Sequence, residues 1–237
     1  MLASVDSTNA EAARRAATLI NPGWILAGVQ TAGRGRRARV WSSPHGNFHA
    51  TCSFRPDGPA ARIALHSFAA SLALRDALVA LTDLPQAFAL KWPNDVLLNG
   101  GKLAGILLES AGVGAGVSRL AIGFGVNLIG APDPAHLDQD ALRPVTLLAE
   151  TGLRLSPETL LDHLAPAFAA RAAQLSDGFA RTRADWLTHA ARLGQPIRAR
   201  TATQIRHGTF ETIDDSGALI LRTASGPLAI PAAEVFF

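Results

Sequence analysis

The period of apolar positions changes several times along this chain, and each change marks an element. "WILAGVQ" (24–30) and "NFHATCSF" (47–54) are near-continuous apolar runs of strand length, the pattern of strands covered on both faces. "ARIALHSFAASLALRDALVAL" (61–81) is apolar at helical spacing over a broad face and predicts a long buried helix. "FALKWP" and "DVLLN" read as short strands, Asn99-Gly100-Gly101 supplies turn chemistry, and "KLAGILLES" returns as the hairpin partner. "RLAIGFGVNL" is a further strand. "STNAEAARRAATL" opens as a helix, with Thr8 placed to cap it and Glu11 to complete a capping box. "SPETLLDHLAPAFAARAAQL" and "FARTRADWLTHA" are helical, the first capped by Ser156 with Pro157 at its first position. Near Gly194 the pattern shifts to short alternating runs broken by Asp-Asp-Ser-Gly and Ser-Gly-Pro. That predicts four or five short strands closing into a small barrel. The expected architecture is therefore α+β, with helices on a mainly antiparallel mixed sheet over residues 1–191 and a small barrel over residues 192–237.

Composition narrows the class. At 237 residues the chain can bury a large core, and 48% hydrophobic with 17% charged residues excludes disorder and coiled coil. A formal charge of +3 does not by itself indicate a nucleic-acid binder. The single cysteine, Cys52, lies in an apolar run without a neighbouring base and reads as core. No run reaches the roughly 18 apolar residues of a membrane span, and a cytoplasmic location is expected.

Three stretches carry candidate chemistry. "GRGRRARVW" (33–41) holds Arg34, Arg36, Arg37 and Arg39 beside Gly33 and Gly35, within a sixteen-residue gap between strands. Guanidinium forks bind carboxylate or phosphate, but a solvated basic loop or a nucleic-acid contact would look alike. No Asp or Glu lies between Glu11 and Asp57, so these charges have no local partner. "KWPNDVLLNGGKLAGILLES" (91–110) puts Lys91 and Lys102 on either side of a turn in an apolar hairpin, with Asn94 and Asp95 at the same end and Gly105 in the strand. A lysine there either snorkels or meets an anion. "GFGVN" (123–127) lacks the third glycine of a dinucleotide fingerprint and implies close backbone packing. His45 and His49 offer no convincing metal set.

Taken together and in this order, "STN", "GRGRRARVWSSP", "KWPNDV", "GGKLAGILLE" and "GFGVNL" resemble the biotin protein ligases. The family pattern usually has glycine at the position of Ala38. The resemblance implies a class II synthetase-like biotin/lipoate ligase fold with an SH3-like C-terminal barrel. It implies ATP-dependent activation of biotin to biotinyl-5′-AMP and transfer to one lysine of a biotin carboxyl carrier protein. Ser7, Thr8, Asn9 and Gln30 would then satisfy the biotin ureido head, with Gly33, Arg34, Gly35, Arg36, Lys102 and Gly105 also at biotin. Arg34, Arg36, Arg39, Trp41, Lys91, Asn94, Asp95, Lys102 and Asn127 would meet ATP, with Trp41 stacked on adenine. Lys102 and Arg36 are the implied catalytic pair. Mg²⁺ is expected with ATP, but the motifs name no ligand for it. Only six residues precede Ser7, so the form without a DNA-binding domain is expected; a homodimer is allowed. A lipoate ligase or octanoyltransferase shares the fold, but its apolar acyl substrate would not call for the Ser-Thr-Asn and Gln30 set. A non-enzymatic RNA-binding module would leave Lys102 and "KWPND" unexplained.

Overall fold

The computed structural model describes residues 1–18, 22–112, 117–133 and 141–237. A seven-stranded sheet in the order β1-β2-β3-β7-β6-β5-β4 forms its main body. The strands are β1 (Leu2–Val5), β2 (Gly23–Gln30), β3 (Phe48–Phe54), β4 (Phe88–Lys91), β5 (Asp95–Leu98), β6 (Gly101–Ala111) and β7 (Arg119–Val126). All neighbours are antiparallel except β1 and β2, so the sheet is mixed and mainly antiparallel, as the sequence predicts.

One face of the sheet carries the core. The 61–81 helix is broken at Leu65 into α2 (Ala60–Ala64) and α3 (His66–Thr82). α3 packs on α5 (Pro157–Ser176) and α6 (Phe179–Thr188). Phe168 of α5 stands edge-on to both Trp24 of β2 and Phe124 of β7, with centroids 6.1 and 6.2 Å apart. The Ser156 hydroxyl accepts from the Thr159 backbone N–H, so the predicted cap forms. α2 and α3 together (Ala60–Thr82) are long and apolar enough to resemble a membrane span, but their burial is that of a core helix.

The other face is nearly bare. Among the described residues α1 (Thr8–Arg14) is the one helix on it, packing Ala12 against Ile25 and Ala121. The capping box does not form there. Ser7 is the N-cap without a side-chain cap bond, and Glu11 is engaged by Arg14 and Arg15 instead. Thr8 falls inside the helix because its hydroxyl is committed across the sheet. The helix ends at Arg14, and Leu19, the last residue of the predicted run, lies outside the described residues. β1 and the short α4 (Leu147–Thr151) are additions to the sequence reading.

Residues 196–236 form a second, wholly antiparallel sheet, β11-β10-β9-β8-β12. Its strands are β8 (Pro196–Arg200), β9 (Ile205–Ile213), β10 (Leu219–Thr223), β11 (Gly226–Ile230) and β12 (Glu234–Phe236), within the four or five expected. Its Phe210, Leu221 and Val235 join the same apolar cluster as the main core. The Trp92 indole N–H donates to the Gly217 carbonyl at 3.0 Å, tying the two parts together.

Candidate active site

Strand alternation fixes what the bare face can present. Along β7, Leu120, Ile122, Phe124 and Val126 enter the helix-side core, so Ala121, Gly123 and Gly125 turn the other way. Ladder pairing places Lys91, Asp95, Gly105, Gly125, His49 and Ala27 in one row across β4, β5, β6, β7, β3 and β2. Gly123 and Thr51 stand in the next row. The middle of the face is therefore backbone, with a cavity of about 380 Å³ above it.

Trp41 uses that backbone floor. A Cβ on Gly125 would lie 2.4 Å from its indole Nε1, and one on Gly105 would lie 3.2 Å from its ring. Gly125 must be glycine for the indole to lie there, and a side chain at Gly105 would press on the ring. Its N–H is buried without a protein partner, a cost of about 1–3 kcal/mol that a ligand acceptor would remove.

On the β4–β5 side of Trp41 the chain's two lysines meet at one carboxylate. Lys102 Nζ lies 2.8 Å from Asp95 Oδ1 and Lys91 Nζ 3.4 Å from Asp95 Oδ2. Gly105 is three positions after Lys102, which in a regular strand would put them on opposite faces. A bulge at Leu103 shifts the register, since Val96 faces Ala104 while Leu97 faces Lys102. Lys102 is thereby brought onto the cavity face, 5.8 Å from the Trp41 ring. Burial alone would raise the Asp95 carboxyl, but the Lys102 and Lys91 ammonium groups outweigh it and hold it below the usual carboxylate range. Burial pushes Lys91 down despite Asp95. Arg36, also partly buried on the cavity wall, is lowered by burial and by Arg37. Counting Lys91, Lys102, Arg36 and Asp95, this end has an excess of about two positive charges and suits an anion.

On the β3–β2 side lies a set of neutral hydrogen-bonding groups. The Thr8 backbone N–H donates to Gln30 Oε1 at 2.8 Å, and the Thr8 hydroxyl lies 3.1 Å from the same oxygen. Gln30 Nε2 donates to Ser43 Oγ at 2.9 Å. Asn9 is held by Thr51, Glu109 and the Leu107 carbonyl. Gly123 is what admits it, because a Cβ there would lie 2.5 Å from Asn9 Oδ1.

The arginine loop closes over this floor. It is ordered as a tight excursion, with Arg34 bridging Val40, a single 3-10 turn at Arg36–Ala38, and left-handed backbone at Arg37 (φ 56°). The side chain of Ala38 lies outside the described structure. Gly33 packs where a Cβ would lie 2.6 Å from both Ser43 Oγ and the Trp41 carbonyl oxygen; no such crowding surrounds Gly35. The acid that local sequence lacks comes from the far end of the chain. Arg39 grips both Glu234 oxygens, Arg37 approaches at 3.5 Å, and Arg36 donates to the Ala233 carbonyl at 3.4 Å. Burial would raise Glu234, but Arg39 and Arg200 hold it below its ordinary value.

Ser7, Thr8, Asn9, Gln30, Arg34, Gly35, Arg36, Arg39, Trp41, Lys91, Asn94, Asp95, Lys102, Gly105 and Asn127 all line the one cavity; Gly33 stands just behind Trp41. Asn94 also braces the floor, its amide donating to the Ile106 carbonyl at 2.6 Å. Sequence reasoning missed Thr51, Ser43, Glu109 and Glu234, and read Gly123 in "GFGVN" only as close backbone packing. Gly123 was findable, since Gly123, Gly125 and Asn127 alternate at strand period. Cys52 is core as expected, its thiol pushed up to about 12 by burial. Among the described residues no three His, Cys, Asp or Glu side chains converge as a metal set. Among the described residues the acids on the cavity wall are Asp95 and Glu234, both engaged by cations, so neither offers a free carboxylate to Mg²⁺.

Residues 1–127 match the model of the biotin/lipoate A/B protein ligase family, and residues 193–237 match the biotin protein ligase C-terminal domain. The chain is 57% identical to a biotin–[acetyl-CoA-carboxylase] ligase of Paracoccus denitrificans, over 100% of this chain and 99% of that one. It is 32% identical over 89% of its length to the bifunctional ligase/repressor BirA of Bacillus subtilis, of which it covers 65%. In fold it is similar to a biotin protein ligase from Aquifex aeolicus solved with biotin and ATP, at a TM-score of 0.83 and 23% identity, covering 99% and 95% of the two chains.

Proposed function

The chain belongs to the biotin/lipoate A/B protein ligase family, and from that premise we propose that it activates biotin with ATP and passes the biotinyl group to a lysine of a biotin carboxyl carrier protein. The observation that carries this is the two-ended cavity. A neutral hydrogen-bonding end (Thr8, Gln30) faces a cationic end (Lys91, Lys102, Arg36), and Trp41 lies between them on a glycine floor. Biotin has that polarity, with a polar ureido ring at one end and a carboxylate at the other.

In this reading the ureido group lies by Ser7, Thr8 and Gln30, and the valeryl chain runs along Trp41 over Gly105 and Gly125. The carboxylate then arrives at Lys102. Its oxygen attacks the α-phosphorus of ATP, the bond to the bridging oxygen breaks, and pyrophosphate leaves. Lys102 neutralises charge on the attacking carboxylate and the α-phosphate, and Asp95 aims its ammonium. Arg36 serves the phosphates from the loop. Asn127, just past the end of β7 and two residues beyond Gly125, stands on the nucleotide side of Trp41. The acceptor amine then attacks the biotinyl carbonyl and AMP departs. Any Mg²⁺ would ride on the nucleotide phosphates. The closed loop keeps water from the mixed anhydride.

The neutral end favours biotin over lipoate, whose dithiolane ring has no N–H to offer the Thr8 and Gln30 oxygens. The test is ATP-dependent pyrophosphate release by the purified chain. Release is expected with biotin and not with lipoate or octanoate; release with lipoate alone would contradict the reading.

A further inference from the structure

The contact distances at the neutral end of the cavity favour one arrangement of its protons. Asn9 Nδ2 faces two groups that can only accept, the Leu107 carbonyl at 3.3 Å and Glu109 Oε2 at 2.8 Å. Its oxygen is therefore the atom 2.6 Å from the Thr51 hydroxyl. An amide oxygen cannot donate, so the single Thr51 proton is committed to it. The Thr8 hydroxyl, with one proton, then has two acceptors in reach, Thr51 Oγ1 at 2.8 Å and Gln30 Oε1 at 3.1 Å, and the shorter contact takes it. Gln30 is fixed independently, because the Thr8 backbone N–H requires its oxygen at 2.8 Å. What remains are Thr8 Oγ1 and Gln30 Oε1, two lone-pair-bearing oxygens 3.1 Å apart on the cavity wall with no proton left to place between them. They form a seat for an N–H.

We infer that Glu109, which does not line the cavity, is a positioning residue that sets the direction of the Asn9–Thr51–Thr8 chain and so makes its end accept an N–H of a bound cyclic urea. The inference rests on the biotin reading of the site. Without the carboxylate, only the 3.3 Å contact to the Leu107 carbonyl opposes a flip of the Asn9 amide. The flipped amide donates to Thr51, Thr51 donates to Thr8, and Thr8 donates to Gln30. The chain then runs backwards and the seat is filled by the protein's own proton.

The experiment titrates biotin into the full-length wild type, Glu109→Ala and Glu109→Gln by calorimetry. Alongside it run the two cyclic carbamate analogues in which one ureido N–H is replaced by oxygen. Glu109→Ala should bind biotin about tenfold more weakly, the scale of one hydrogen bond to a charged group. It should lose much less for the analogue that lacks the seated N–H, so discrimination between the two narrows. Glu109→Gln should stay within about threefold of wild type, because its amide oxygen still accepts from Asn9. In turnover the loss should fall on KM for biotin rather than on kcat. Glu109→Ala binding biotin within twofold of wild type, or losing biotin and both analogues by one common factor, overturns the relay alone. A wild-type chain that takes up no biotin overturns the functional reading, and this inference with it.

Discussion

Removing Glu234 should unlatch the arginine loop without touching the cavity floor. Two loop arginines depend on this carboxylate, Arg39 by a two-pronged contact and Arg37 by one contact at 3.5 Å. Both arginine side chains are over 40% exposed, so the pairs belong to the weak, screened class. The bidentate Arg39 pair falls near the top of that class at about 1 kcal/mol, and Arg37 adds a few tenths. Glu234→Ala should therefore raise the undocked population by roughly 5- to 10-fold. The Arg36 contact to the Ala233 carbonyl survives the substitution and keeps the loop from opening fully. Trypsin reads this directly, because its sites are the loop arginines, and cleavage through a rapidly reclosing open state follows its population. Initial cleavage at Arg36, Arg37 and Arg39 should rise 5- to 10-fold in the variant. About 0.5 M salt should move wild type part of the way. Cleavage within twofold of wild type at both salt concentrations would refute the latch.

Acid sensitivity follows from the same contact: the folded Glu234 carboxyl sits below its ordinary 4.5, so its contribution is complete above that value and is lost only as pH falls through the lower folded value. The ratio of variant to wild-type cleavage should thus stay constant from pH 8 to 6, and a ratio that collapses in that window would contradict it. Gly125→Ala should weaken biotin binding about tenfold or more by displacing Trp41, as overpacking of about 1–3 kcal/mol implies, with equilibrium binding as the check. Asp95→Asn should destabilise by about 3–5 kcal/mol, because it leaves buried Lys91 without its counter-charge; adding Lys91→Met should restore most of the loss in urea unfolding. In the single variant the unfolded chain binds the Lys91 proton more tightly than the folded one, so stability should rise with pH towards the ordinary 10.5.

Much of this was legible in sequence because the floor obeys simple periodicity. The apolar runs at 24–30 and 47–54 became β2 and β3, and the Asn99-Gly100 turn, left-handed at both residues, became the β5–β6 hairpin. Other features lay out of reach for physical reasons. Strict alternation would have placed Lys102 and Gly105 on opposite faces, and only the bulge at Leu103 reunites them. Thr8 looked like a cap because Ser-Thr-Asn before an apolar run has that chemistry, yet the cavity claims its hydroxyl. Glu234 is almost two hundred residues from the arginines it holds, and no local pattern announces such a contact. β1 has only four residues and pairs in parallel with a strand that begins eighteen residues after it ends.

The claim that the cationic end drives activation is tested most directly by Lys102→Ala, with the two half-reactions measured apart. Pyrophosphate release from ATP and biotin should fall on the order of 10²–10³-fold, the usual effect of removing a fixed charge that stabilises a transition state. Transfer from preformed biotinyl-5′-AMP should fall far less, and biotin should still bind through the neutral end. Lys102→Arg should recover little, because a planar fork does not replace a compact ammonium held 2.8 Å from Asp95. If the alanine variant releases pyrophosphate at a near-normal rate, Lys102 is only a strand lysine paired with Asp95, and the cationic end does not drive activation.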